Sequence, residues 1–238
     1  MAQYIPQPEI SGLEAAIGYK FKDTDIIREA LTHSSYSNEV RAHDIIMPCN
    51  ERMEFLGDSV LSIVTSELLF KEHPELPEGD LSKIRAGTVC EKALSKFAKT
   101  INLGKYLLLG RGEDMTQGRT RPSVLADAFE ALLAAIYLDS GIDEVKRFLL
   151  PFVSAEIKNI IDSGSFRDYK TLLQQIVQQE RGEILEYVVV GESGPAHLRT
   201  FEVEAHLNSN VIGKGTGHSK REAEQQAARE ALKLFGEI

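Results

Sequence analysis

Cysteine is scarce: the 238 residues contain two, Cys49 and Cys90. Neither falls in a CxxC or Cys/His spacing, which argues against a disulfide framework and a thiolate metal site. Long hydrophobic runs are lacking as well. Charged or polar residues interrupt every apolar stretch before it reaches the roughly 20 residues that a membrane-spanning helix requires. The opening MAQYIPQPEI has no basic segment followed by an apolar core, so it does not read as a secretory leader. Repeats and low-complexity tracts are missing too. A soluble protein of the reducing cytoplasm, with no membrane partner, is expected.

Positive charge is also short. The formal net charge of −9 speaks against a nucleic-acid partner, because phosphate binding usually shows as a basic excess. That objection fails only if the acids gather at one site and the bases at another, so their positions must decide it.

What is present is enough apolar material, 42% of residues, for one or two packed cores. Over 10–161 apolar residues recur at three- and four-residue steps, which predicts one all-α domain. The periodicity ends at IDSGSFRD, and 162–167 read as a linker. Over 168–237 the texture changes. A helix is predicted from Tyr169 to Gln179, then strands at EYVVVGE and FEVEAHL separated by a GPAH turn. After an NSN turn come a short strand at Val211 and Ile212 and a helix from Lys220 to about Phe235. This is a small α+β domain in the order α-β-β-β-α.

The chemistry lies in NERMEFLGDSVLSIVTSELLF. At about 100° per residue, Glu51, Glu54 and Asp58 occupy an arc of about 60° on one helix face. Met53, Leu56, Val60, Ile63, Val64 and Leu68 are expected on the opposite, core side, and the acidic stripe continues into Ser62 and Thr65. A second helix, from near Ser123, carries Asp127 and Glu130 on one face beside Ala131 and Ala134, small neighbours that let another backbone approach. Solvated acids are the ordinary explanation of such pairs. It fits poorly among Val124, Leu125, Phe129, Leu132, Leu133 and Ile136, where an unpaired acid is costly. Carboxylates held together repel unless a divalent cation neutralises them, and Mg²⁺ prefers oxygen ligands. A di-iron carboxylate bundle would want a Glu-x-x-His pair, and the residue three beyond Glu130 is Leu133.

These segments resemble the ribonuclease III family. NERMEFLGD (50–58) is similar to its signature, with Met53 where Leu is commoner. LTHSS (31–35), EGDLSKIRA (78–86) and SVLADAFEALLAAIYLD (123–139) resemble its other blocks. The resemblance implies a double-stranded RNA endonuclease that needs Mg²⁺, for which Mn²⁺ substitutes, and no organic cofactor. Glu54, Asp127 and Glu130 would hold the metal, with Asp58 beside them, and Asp58 and Glu130 would be most directly catalytic. Glu51 and Glu78 match positions tied to substrate or a second metal. From the residues alone, Glu78 is a loop acid ahead of Asp80, an expected N-cap for a helix starting at Leu81. His33 reads as a packed or capping histidine. No Ser or Cys nucleophile with a positioned base is evident, so no covalent intermediate is needed. The resemblance further implies 5′-phosphate and 3′-hydroxyl ends, short 3′ overhangs, processing of ribosomal and some messenger RNAs, and a homodimer. Phe55 sits near ~40° on the same wheel; a dimer anchor and a marginal core phenylalanine both remain open from spacing, and the resemblance favours the anchor.

The C-terminal domain meets the charge objection. Ser219 and Glu222 form a capping box, and Lys220 and Arg221 occupy the first turn, against the helix dipole, where a bound phosphate would compensate. Lys214 and a flexible Gly215–His218 approach would add donors. Thr171, Gln174, Gln175 and Gln178 share one helix face and suit a double-stranded RNA minor groove, with His197 a loop contact. DYKTLLQQ, GPAHLRTF and KGTGHSKREAEQQAA resemble the double-stranded RNA-binding domain, with Arg221 for the commoner Lys and a loop less basic than in strong binders. A non-catalytic RNA-binding protein on the same scaffold is the competing reading; the presence of all five acids speaks against it.

Overall fold

The computed structural model describes residues 9–164, 166–179, 182–195 and 198–236, in two compact units, 1–166 and 167–238. His197 lies outside the described residues. No helix among them is long and apolar enough to cross a membrane, and both cysteines are free.

The first unit is helical: α1 (Ile10–Ile17), α2 (Thr24–Ala30), α3 (Ser34–Arg41), α4 (Glu51–Glu72), α5 (Glu78–Thr88), α6 (Glu91–Thr100), α7 (Arg111–Met115), α8 (Pro122–Ser140) and α9 (Ile142–Ser163). Its organising element is α8. Pro122 presets the backbone at its first turn, and Gly141, at φ +83°, ends it. Every residue from Val124 to Ile136 is buried except Asp127 and Glu130, which are half-buried. A helix apolar on all sides belongs inside, and this one is surrounded. Phe129 meets Phe97 of α6 and Phe148 and Phe152 of α9, with ring centroids 5.8 to 6.0 Å apart. Helix α9 runs to Ser163, past the end of the apolar periodicity, and Phe166 still packs into the core of this unit.

Helix α4 crosses α8 at backbone contact. A Cβ on Gly57 would stand 1.8 Å from the Glu130 carbonyl oxygen, so only glycine permits the approach. That contact turns α4 relative to the expected wheel. Met53, Gly57, Val60, Leu61 and Val64 are buried and span about 180° to 280°, next to the acids rather than opposite them. Two expectations change with the turn. Ile63 is 59% exposed, not core, and Thr65 is buried, so the polar stripe ends before it. Phe55 is 79% exposed, which rules out the marginal core placement.

Helix α5 begins at Glu78, not at Leu81, with Pro77 preceding it in extended conformation. Asp80 is therefore not an N-cap. It lies in the first turn, where the helix dipole favours acids, 3.7 Å from Lys83.

The second unit comprises α10 (Tyr169–Val177), β1 (Leu185–Ser193), β2 (Thr200–Leu207), β3 (Asn210–Gly217) and α11 (Lys220–Leu234), with the antiparallel sheet ordered β1-β2-β3. The predicted α-β-β-β-α order is observed. Strand β3 is much longer than Val211 and Ile212, and Gly215 to Gly217 are strand, not a flexible approach. Glycine was a misleading turn signal here. Alternate residues Gly213, Gly215 and Gly217 share one strand face, where added Cβ atoms would lie 2.2, 2.2 and 2.7 Å from the α11 backbone at Ala227 and Ala223. Ala223, Ala227 and Ala231 of α11, all buried, complete this close packing of a helix on a bare strand.

Candidate metal centre and nucleic-acid surface

Glu54 comes from the first turn of α4, and Asp127 and Glu130 from the second and third turns of α8. Each offers a carboxylate oxygen, and these atoms lie within 4.8 Å of one another, on half-buried side chains. The Gly57–Glu130 backbone contact makes the two helices close enough for this. Three carboxylates this near each other stay protonated more readily. Glu130 is pushed up to about 8, first by burial and then by Asp58, Glu54 and Asp127. Glu54 is raised by burial, then by Asp127, Glu51 and Asp58. Asp127 is raised chiefly by burial, with Glu91 adding and His33 opposing. Half-buried carboxyl groups held this close, each raised above its ordinary range, are the electrostatic condition that a divalent ion relieves, and an all-oxygen donor set suits a hard one. The residues therefore fit the cation expected from the sequence.

Asp58 and Glu51 are exposed, act electrostatically on the trio and stand outside it. Glu78 does not join this cluster. Its Oε1 accepts from Ser82 Oγ at 2.7 Å, and with Phe70 and Arg85 it lines a separate hollow of about 420 Å³. Two contributors escaped sequence reasoning. Gly57 is visible in the sequence as a glycine inside a helix, a signal of close approach. Glu91, at the start of α6, has no such signal, because only the packing of α6 on α8 brings its charge to bear on Asp127. His33 is the N-cap of α3: its Nδ1 accepts from the Ser35 backbone N–H at 3.2 Å.

Along the other edge of α4, Phe55 and Ile63 are continued by Leu138, 53% exposed, and Tyr137 of α8. An open concavity of about 850 Å³ lies there, lined by Leu56, Ser59, Ile63, Tyr137, Leu138 and Ile142. Exposed apolar side chains gathered on one edge in this way are a common feature of interaction surfaces.

In the second unit, Thr171, Gln174, Gln175 and Gln178 are exposed, with Gln178 as the C-cap of α10. The starts of the two helices are tied together. Gln225 Nε2 donates to Asp168 Oδ1 at 2.7 Å, and Lys170 Nζ lies 2.7 Å from Glu224. Ser219 Oγ accepts from the Glu222 N–H at 3.2 Å, and Glu222 reaches back to the N–H of His218, one residue before the cap. Lys220 and Arg221 stay exposed in this first turn, and Lys220 Nζ lies 5.7 Å from the Phe201 ring centroid. Lys214 is placed differently from expectation. Its glycine neighbours face α11, so it points from the opposite face of the sheet, where it pairs with Glu204 at 2.7 Å. Val203 and Ala205 are buried, so Glu202, Glu204 and His206 also alternate outward. The β2 acids Glu202 and Glu204 thus stand on the sheet face away from the helices and apart from the basic turn of α11.

Residues 23–157 match the family model described as ribonuclease-III-like, and residues 169–234 match the double-stranded RNA binding motif. Ribonuclease 3 of Listeria monocytogenes serotype 4a is 45% identical over 223 residues, covering 92% of this chain and 95% of that protein. Ribonuclease 3 of Desulforamulus reducens is 48% identical over 220 residues, covering 92% and 89%. A solved structure of the nuclease domain of ribonuclease III from Campylobacter jejuni, described for flexibility in a region involved in dimer formation, is similar with a TM-score of 0.57 and 39% identity, covering 62% of this chain and 98% of that one. Similarity of this extent, across both units and most of the length, assigns the chain to the ribonuclease III family.

Proposed function

We propose that this protein is an endonuclease that hydrolyses double-stranded RNA with Mg²⁺, leaving 5′-phosphate and 3′-hydroxyl ends with short 3′ overhangs, and that it processes ribosomal RNA precursors and some messenger RNAs in the cytoplasm. The observation that carries the reading is the Glu54–Asp127–Glu130 trio in a chain that also matches a double-stranded RNA binding motif. The trio would hold the cation, and Mn²⁺ would substitute. When bound, the cation acidifies water and takes up charge developing on the phosphate. Asp58, exposed one residue beyond the Gly57 contact, orients the attacking water and shares the most direct catalytic role with Glu130. Glu51 and Glu78 bear on substrate or a second ion. Thr171, Gln174, Gln175 and Gln178 would read the minor groove by shape, while the first turn of α11, Ser219 to Arg221, would take a phosphate through its amides and two cations. Lys214 is dropped from this surface because of its pairing with Glu204, and His197 stays a candidate contact.

The test is cleavage of a long RNA duplex with Mg²⁺. Wild type should yield short duplexes, whereas Glu130→Gln should bind the duplex and leave it intact. Binding without cutting by wild type would instead make the protein a double-stranded RNA-binding module.

A homodimer belongs to this reading, since cutting both strands takes two sites, and the band through Phe55, Ile63 and Leu138 is the surface for it. Phe55→Glu should therefore weaken self-association by about 2 kcal/mol or more, as sedimentation equilibrium measures it. An unchanged dimer would remove Phe55 from the interface.

A further inference from the structure

The start of α10 is held more firmly than a helix cap requires. Asp168 is the cap, and its Oδ1 accepts from the Thr171 N–H at 3.1 Å. Gln225 of α11 grips the same place with both ends of its amide. Nε2 donates to that Oδ1 at 2.7 Å, and Oε1 accepts at 3.3 Å from the Lys170 N–H, a first-turn amide with no acceptor in its own helix. Lys170 adds a second tie, its Nζ paired with Glu224 and 4.7 Å from the Tyr187 ring centroid on β1. The Tyr169 ring adds a third, 5.7 Å from the Arg229 guanidinium. Leu173, Val177, Ala228, Ala231 and Leu232 form one apolar core further along both helices, so the polar ties fix the two starts.

Those starts carry the two surfaces proposed for RNA. Thr171, whose amide shares the Asp168 oxygen with Gln225, begins the α10 face that continues through Gln174, Gln175 and Gln178. Arg221 lies four residues before Gln225, one turn up the same side of α11, with Lys220 beside it. A side-chain amide bonded at both ends fixes distance and direction, which undirected apolar contact does not. We propose that Gln225 is a positioning residue for duplex binding: it sets the spacing between the α10 face and the first turn of α11, so that both engage one duplex at the same time. The inference rests on the double-stranded RNA-binding reading above. A fixed spacing is also a ruler. It suits the grooves of an A-form duplex and not those of B-form DNA, so Gln225 contributes to the choice of RNA over DNA.

Methionine matches glutamine in length and helix preference and bonds at neither end. In the full chain with EDTA, Gln225→Met should lower affinity for an RNA duplex of about 20 base pairs roughly tenfold by fluorescence anisotropy, with Tm reduced by about 4 °C or less. The slope of log affinity against log salt should fall by about 1, and the preference for RNA over DNA of the same sequence should shrink about threefold or more. Gln225→Glu, which sets a second carboxylate against Asp168, should bind as poorly. Adding Asp168→Asn exchanges donor and acceptor across the tie and should recover most of the loss. Leu207→Ala is the control, at the end of β2 away from the start of α11. It should lower the Tm at least as much and leave slope and preference unchanged. If Gln225→Met keeps the wild-type slope and preference, if Leu207→Ala alters them equally, or if the double variant gains nothing over Gln225→Glu, Gln225 is a packing residue and the inference fails. Lys220→Ala is the reference for a lost phosphate contact. If it lowers the slope by about 1 and Gln225→Met does not, only the role of Gln225 falls. If wild type does not bind the RNA duplex, the duplex-binding reading and the inference fall together.

Discussion

Replacing Glu130 by glutamine should make the metal-free protein more stable at pH 8 and leave it without metal-dependent cleavage. The sign follows from the proton. In the folded chain Glu130 is pushed from 4.5 up to about 8, so the unfolded chain gives up this proton first. The stability that the protonated group contributes is full below about pH 4.5 and is lost as pH rises towards 8. At about 1.4 kcal/mol per pH unit, the displacement caps the effect at about 5 kcal/mol, and water access with local relaxation reduces it to about 2–3 kcal/mol. Glutamine, neutral at every pH, escapes the loss. Urea denaturation in EDTA should show the two proteins equal near pH 4.5 and the variant ahead at pH 8. Saturating Mg²⁺ should then reverse the order, because an ion bound only by the folded wild type stabilises it by mass action. Equal stabilities at pH 8 would show that Glu130 is not under this strain. Such a gap is the usual cost of a site built for binding rather than for stability.

Gly57→Ala should be the most damaging single-methyl change in the catalytic unit. Its Cβ would stand 1.8 Å from the Glu130 carbonyl oxygen and 2.4 Å from the carbonyl carbon, so backbone must move. Separating two packed helices costs about 3 kcal/mol or more, at the upper end for an overpacked core. The same movement pulls Glu54 away from Asp127 and Glu130, so Mn²⁺ affinity should fall at least tenfold even in protein that remains folded. Gly79→Ala is the control. That glycine lies in the first turn of α5 with nothing within 4 Å of an added Cβ, and alanine there should be neutral or stabilising by about 0.5 kcal/mol. A Gly57→Ala protein with wild-type Tm and Mn²⁺ affinity would refute the claim that the α4–α8 contact builds the site.

Much of the architecture was legible because it depends on local patterns. A three-to-four-residue apolar rhythm identifies the helical unit, and period-two alternation with turn residues identifies the three strands. The acids of α8 stood out because they interrupt a helix that is otherwise apolar all round. The misreadings share a cause. The wheel of α4 was drawn from its own residues, which placed Ile63 inside and the core opposite the acids. The orientation of a helix is set by what packs on it, and Gly57 lets α8 approach from nearer the acidic side. Likewise Gly215 and Gly217 read as flexibility until α11 supplied the reason for them, with Gly213, as three bare positions on one strand face, and Lys214 then faced away from the basic turn it was expected to join.

The sequence by itself determined which residues carry charge, which segments form helices and strands, and that carboxylates recur on one face of each of two helices, since these follow from side-chain chemistry and backbone periodicity. Only the tertiary structure decided which of those carboxylates meet. Glu54, Asp127 and Glu130 converge because two backbones touch at Gly57. Glu78 stays apart on α5, where it accepts from Ser82 and lines a separate hollow, because the packing of α5 and not the spacing of its acids decides what it faces.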